Sequence, residues 1–276
     1  MRKVRIVAVG VVIAVLVTGG VIGYQLDTGN RDTDYIVGSD NNNRVELDVT
    51  LQRVDITARE LDLRVLPVLH GEFAEDGFDD VPTKDITIDT TSLTTGLLRF
   101  KAHDRVSLQD VRVGVNEGLV SDYPFDRYAA AVGFYVTAGD QDVPLSLRFR
   151  GYDSLFTARA DSAIVRPGAL TARVTAGRTI SSSALAWFLM TAMWALALSV
   201  LGAALTIVAK GMGLVWPAMG WMAATLFALV GFRNAAPGSP PIGALIDYGA
   251  FFWAELLTTV ALVYVTVQGI RQARAG

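Results

Sequence analysis

Long apolar runs constrain this chain more than any other feature. Ile6 to Tyr24 carries no charge over about 19 residues, close to the roughly 20 needed to cross a bilayer. Three further runs close the chain, at about 184–209, 214–232 and 246–270, each long enough to span. Aromatic residues stand near several of their ends, Trp187, Trp216, Trp221, Tyr248, Phe251, Phe252 and Trp253 among them, where amphipathic rings prefer the headgroup level. The expectation is four transmembrane helices.

The first run could also be a cleaved signal peptide, which has a shorter apolar core and a small-x-small cleavage site. Here the run ends in Gly19, Gly20, Val21, Ile22, Gly23 and Tyr24 with no Ala-x-Ala, so residues 1–24 are expected to be an uncleaved anchor. Basic residues near short flanks stay in the cytoplasm. Arg2, Lys3 and Arg5, then Lys210, then Arg271 and Arg274 share one side if the chain threads in and out four times. Arg233 alone contradicts this, and Asp247 in the same short loop offsets it. The expected location is therefore the plasma membrane, multi-pass, with both termini cytoplasmic and residues 25–183 extracytoplasmic.

That block holds 17 Lys+Arg against 25 Asp+Glu and carries a net charge of −8, while the whole chain stands at −3. So acidic a domain argues against a nucleic-acid partner. Residues 25–43 include Asp32, Asp34, Asp40 and three consecutive asparagines, with little apolar content, and read as a flexible stalk. From Val45 the apolar residues alternate: Val45, Leu47, Val49, Leu51; Leu61, Leu63, Val65; Ile86, Ile88; Val111, Val113, Val115. Later runs at 130–137, 143–149 and 170–174 repeat the pattern, with Gly, Asp and Pro between them. Short alternating strands with turn signals predict an all-β sandwich over residues 44–180. The fold class is thus a membrane protein whose extracytoplasmic all-β sandwich-like domain sits between an N-terminal transmembrane helix and a three-helix transmembrane bundle at 184–270.

Cysteine is absent, which excludes disulfides and thiolate chemistry, and the two histidines, His70 and His103, are too few for a His-rich metal site. No Gly-x-Ser-x-Gly elbow, His-Glu-x-x-His or phosphate-cradling loop is present. The acidic stretch Glu72, Glu75, Asp76, Asp79 and Asp80 departs from EF-hand spacing and reads as a solvated loop. No catalytic, cofactor-binding or metal-binding residue is nominated, and the protein is not expected to be an enzyme.

The residues singled out lie elsewhere. Tyr123-Pro124-Phe125-Asp126-Arg127-Tyr128 places two aromatics around a rigid proline with a carboxylate behind, a turn whose rings would pin it to the β-domain core. The alternative is a docking surface for a lipid or partner. Glu255 lies eight residues past Asp247, about 12 Å along a helix, and a carboxylate at such depth is by default a functional hypothesis. No other span holds an interior Lys, Arg or His to pair with it. A packing hydrogen bond to Thr258 or Thr259, a hydrated crevice and a partner from another subunit remain open. Helical spacing places Tyr248, Phe251, Phe252 and Leu262 near the same face. Arg233 and Asp247 are expected to close a helical hairpin as a surface pair contributing about 0 to 1 kcal/mol.

The Tyr-Pro-Phe-Asp-x-Tyr turn, Arg233-Asn234 followed by Pro237-Gly238-Ser239-Pro240-Pro241-Ile242-Gly243, and Phe252-Trp253-Ala254-Glu255 together resemble an actinobacterial, mycobacterial-type family of multi-pass membrane proteins catalogued only as a domain of unknown function. The resemblance covers almost the whole chain. It implies architecture and a cell-envelope location, and no chemistry. The Pro-Phe-Asp turn is also similar to that of pentameric ligand-gated channels, which set an extracellular sandwich before a helical pore. Here a span precedes the sandwich, three follow it and no polar pore-facing stripe is visible.

The sequence therefore points to a non-enzymatic scaffold or accessory subunit of the cell envelope, binding protein or lipid through its β-domain. The alternative is a small oligomeric channel or proton-coupled transport component using Glu255. Expected partners are the lipid bilayer, an envelope protein or lipid, and a second copy of the chain as a homo-oligomer.

Overall fold

The computed structural model describes residues 18–21, 23, 25 and 34–275, so most of the expected N-terminal span and of the stalk lies outside the described residues. The chain divides into two compact units: one holds the residues up to Leu119 and Arg127–Ser181, the other Val120–Asp126 and the residues from Ser182 onward.

The first unit is a sandwich-like domain of two main sheets. Its strands are β1 (Tyr35–Gly38), β2 (Arg44–Asp55), β3 (Glu60–His70), β4 (Ala74–Glu75), β5 (Phe78–Pro82), β6 (Ile86–Thr90), β7 (Leu97–Phe100), β8 (Gln109–Gly114), β9 (Arg127–Ala138), β10 (Gln141–Asp142), β11 (Leu145–Gly151), β12 (Phe156–Arg166) and β13 (Ala169–Arg178). One sheet runs β1-β11-β2-β3-β8 and the other β12-β13-β9-β6-β7, with β10 on β9 and a separate β4-β5 ribbon. Period-two burial builds the core. Val45, Leu47, Val49 and Leu51 of β2 pair with Leu69, Pro67, Val65 and Leu63 of β3, and the four β2 side chains are fully buried. Val132, Phe134 and Val136 of β9, beside Ala172 and Leu170 of β13 and Ile88 of β6, do the same in the other sheet. Each such buried apolar side chain contributes about 1.5–3 kcal/mol.

The domain begins at residue 35 rather than 44. Tyr35–Gly38, inside the segment read as a stalk, pairs antiparallel with β11, and Gly38 at φ 124° fits a bend where an added Cβ would lie 2.5 Å from the Leu145 carbonyl oxygen. β11 also pairs β2 in parallel, from Leu145↔Val45 to Gly151↔Leu51. A buried carboxylate ties the end of β2 to the β11–β12 turn: Asp153 accepts backbone N–H bonds from Val54 (2.7 Å), Leu155 (2.6 Å) and Phe156 (2.9 Å).

The second unit contains the helices Ile180–Ala209 (from residue 182), Trp216–Asn234 and Phe252–Ala275, the last preceded by a π-helical turn at Asp247–Phe251. Among the described residues two helices are long and apolar enough to cross a membrane, Ile180–Ala209 at mean hydropathy 2.1 and Asp247–Arg274 at 1.7. The middle helix, expected to be a span, falls short of them. Pro217, two tryptophans and the closing Arg233-Asn234 dilute its apolar content, although Pro217 suits a first helical turn, where its missing N–H costs nothing.

Packing splits this unit into two buried clusters. One gathers Ala186, Leu189, Met193, Ala197, Leu229, Ala250 and Ala254, and the other Val200, Ala204, Met222, Ala261 and Val265. Between them in chain order, on two helices, stand the buried hydroxyls Thr225 and Thr258.

Candidate functional site

The most constrained polar feature of the helical unit is the loop 235–246. Its anchor, Arg233, stands in the last turn of the middle helix and is nearly fully buried; Asp247, opening the π-helical turn, is wholly buried. Arg233 donates from Nε to Asp247 Oδ1 at 2.9 Å and from Nη2 to Oδ2 at 3.1 Å. Its remaining N–H groups reach the carbonyls of Pro240 (2.9 Å from Nη1) and Pro241 (2.8 Å from Nη2). Asp247 Oδ2 also accepts the Gly243 N–H at 2.7 Å. The pair expected on the surface is thus interior, and the correction has a physical cause. Pro240 and Pro241 lack N–H donors and present only carbonyls, and the planar five-donor guanidinium satisfies both while holding a carboxylate. Arg233, the one exception to the expected distribution of basic flanks, is neutralised inside the fold.

The π-helical turn follows from the same anchor. The Phe252 N–H bonds to the Asp247 carbonyl, five residues back, which inserts extra length into the helix. The Trp194 indole N–H donates to the Gly249 carbonyl at 3.0 Å, fixing the turn against the first helix. Regular helical spacing from Glu255 back to Tyr248 therefore does not hold, because the turn shifts the register. Tyr248 is 61% exposed and meets Phe252 edge-to-face, with centroids 5.5 Å apart.

The Tyr-Pro-Phe-Asp segment is split. Tyr123, Pro124, Phe125 and Asp126 belong to the helical unit, and Tyr128 to the β-unit, where it packs edge-to-face on Phe156 at 5.7 Å. Tyr123 is fully buried among Ala186, Leu189 and Ala250, so its ring pins the segment to the helices and not to the β-domain core as expected. The Tyr123–Pro124 bond is cis. Phe125 remains 57% exposed and is held by Trp187 in a T-shaped contact at 5.9 Å.

Both loops line one cavity of about 420 Å³, walled by Ser121, Asp122, Phe125, Gly243, Leu245 and Tyr248. The sequence singles out Phe125, Tyr248 and the loop residue Gly243 of this lining, but not Ser121, Asp122 or Leu245, for which nothing short of the fold gives a signal.

Glu255 lies in the third helix and is half-buried. Its Oε1 and the Thr258 Oγ1 are shielded from solvent and have no hydrogen-bond partner among the described residues. Of the alternatives left open by the sequence, the bond between Glu255 and Thr258 is not formed. Thr258 differs in this from the helix hydroxyls of Thr191, Ser199, Thr206, Thr225 and Thr266, each of which donates to the carbonyl four residues back.

Elsewhere, His103 contacts Glu75 in an exposed loop and His70 Nε2 lies 3.6 Å from Glu46 Oε2, a buried carboxylate that already receives Arg44 and Arg148. No group of three or more His, Asp or Glu residues is placed to hold a metal ion among the described residues.

Comparison with known families places the first unit. The model described as domain of unknown function DUF4436 matches residues 35–176, just over half of the chain. The chain belongs to that family. A second model, domain of unknown function DUF8686, matches residues 178–272. The two matches meet at the end of β13, where the sandwich gives way to helices, and neither description assigns an activity. No curated protein matches the chain.

Proposed function

We propose that this DUF4436 protein is a multi-pass plasma-membrane protein that acts without catalysis, as an accessory or scaffold subunit of the cell envelope holding a lipid or protein ligand. In this reading the middle helix, Trp216–Asn234, also crosses, packed with the two more apolar helices, so that both termini are cytoplasmic and residues 25–183 extracytoplasmic. The carrying observation is the cavity at the helix ends, whose wall is fixed in advance by the buried Arg233–Asp247 clamp. Preorganised, largely apolar concavities with a few polar groups are where small ligands bind. The bilayer setting is supported by two apolar helices of which only 22% and 28% of the most apolar stretch is buried, too little for core helices of a soluble fold. It is supported too by exposed hydroxyls, at Thr191, Ser199 and Thr206, that bond their own helix backbone as a hydrocarbon solvent demands. The β-domain offers further surface for a protein partner.

Gentle detergent extraction of the full-length protein, followed by native mass spectrometry, tests this reading. Copurification of a lipid or another protein is expected, and a bare monomer would overturn it.

A second reading has its own observation. The unpartnered Glu255 Oε1 and Thr258 Oγ1 form a polar point within an apolar helix bundle, as a small oligomeric channel or proton-coupled component would need. That reading predicts a homo-oligomer in which Glu255→Gln abolishes flux into proteoliposomes while leaving assembly intact.

A further inference from the structure

The cavity of the helical unit has a chemistry beyond being apolar. Asp122 brings a carboxylate whose side chain has, among the described residues, only a long contact from the Ser121 hydroxyl at 3.4 Å and no ion pair. No Lys or Arg lines the cavity. Phe125 and Tyr248 bring two exposed aromatic rings, and each is held edge-on by a third ring, Trp187 at 67° and Phe252 at 85°. A carboxylate beside aromatic faces suits an organic cation: the ring quadrupole attracts the charge and the carboxylate supplies its counter-ion. A headgroup that is anionic and carries no cation would meet Asp122 with nothing to offset it.

We propose that this cavity binds an alkylammonium group, presented as the headgroup amine of a membrane lipid, with Asp122 as counter-ion and Phe125 and Tyr248 as the ring faces. The assignment rests on the lipid-binding reading above. It is favoured over a free amine by the apolar residues of the cavity loop: Leu245 in the lining is 44% exposed, and Ile242, next in the chain to the lining Gly243, is 83% exposed, a margin suited to acyl chains. Ser121 adds a hydroxyl for the neighbouring phosphate ester. The wall carrying Gly243 and Leu245 needs no rearrangement, because Gly243 N–H is already committed to Asp247.

The test uses the full-length protein in detergent with an equal mixture of phosphatidylethanolamine and phosphatidylglycerol of identical chains, read by native mass spectrometry. Retention of the ethanolamine lipid in preference to the glycerol lipid is expected. Asp122→Asn and Tyr248→Leu should each reduce that preference roughly fivefold, whereas Asp40→Asn, at an exposed acid of the β-unit that is not in the cavity lining, should leave it unchanged. Competition by free ethanolamine needs no variant. Displacement of the bound lipid supports the ammonium site and makes a soluble amine its second source; failure to displace, with the lipid preference intact, assigns the site to the lipid alone. Lipid retained with no headgroup preference overturns the ammonium assignment and leaves the lipid-binding reading standing. No retained lipid of either kind, with no binding of free ethanolamine, overturns both.

Discussion

Arg233 and Asp247 meet through two parallel hydrogen bonds inside the helical unit, fourteen residues apart in sequence, and the loop between them is shaped by what they bond. Removing one partner from a buried ion pair strands the other charge, at a cost of about 3–5 kcal/mol. Asp247→Ala should therefore lower the thermal midpoint of the helical unit sharply, measured by circular dichroism in detergent. The double variant Arg233→Leu with Asp247→Leu should recover part of that loss, since no charge is left unpaired. A double variant no better than the single one would show that the carbonyls of Pro240 and Pro241 matter more than the pair.

Asp153 organises the β-unit in a comparable way with a single carboxylate. Three backbone N–H groups converge on it, two of them buried. Hydrogen bonds to a charged group contribute about 1.5–3 kcal/mol each when removed. Asp153→Ala should destabilise the β-unit by about 3 kcal/mol or more, while Asp153→Asn, which keeps an acceptor oxygen, should cost less. Chemical denaturation of the two variants checks the order.

A pH dependence follows from Asp55, the last residue of β2 before the turn to β3. Its carboxyl is held below the ordinary value of 3.8, first by the Ala58 N–H, then by the Arg53 charge and the Thr57 N–H, against some burial. A depressed value means a contribution complete above pH 3.8 and lost as pH falls through the lower folded-state value. Asp55→Ala should cost about 1 kcal/mol at neutral pH. Thermal midpoints of wild type and variant should converge below pH 3.8, and a gap constant across that range would refute the linkage.

Thr258 gives a prediction of opposite sign. Its hydroxyl is buried without a partner, so replacing it by the isosteric valine removes a desolvation cost of about 1–3 kcal/mol. Thr258→Val should be neutral or stabilising. A marked loss of stability would mean that the hydroxyl is bonded in the working protein, and would favour the reading in which Glu255 and Thr258 act together.

Much of the fold was legible where burial imposes a period. Val45 to Leu51 and Leu61 to Val65 alternate because one face of their sheet is core, and the strands stand where that alternation places them. β12 was invisible for the converse reason: as an edge strand it is exposed on both faces beyond Ala160, so Asp161 to Arg166 carry no alternation. β1 was hidden because Tyr35, Ile36 and Val37 are too short an apolar run, set in a polar stretch between Asp34 and Asp40, to show a period. The site was legible in part. The Pro-rich loop and the Tyr-Pro-Phe-Asp turn were visible as stiff, unusual segments, and Arg233 and Asp247 as partners. Their burial was not, since it depends on the free carbonyls of Pro240 and Pro241, which only the folded loop turns inward. The π-helical turn leaves no periodic trace, and Asp122 looks like any other surface acid until Tyr248 is placed beside it.

The parallel pairing of β2 with β11 carries a consequence for how the molecule is made. Val45 finds its neighbour Leu145 only after a hundred further residues have emerged, whereas β2 and β3 can form a hairpin almost at once. Closing so long a loop is slow relative to local pairing. During synthesis the hairpin must therefore wait with one edge unpaired, and the chain is most open to aggregation, or to a chaperone, in the interval before residues 145–151 arrive to seal it.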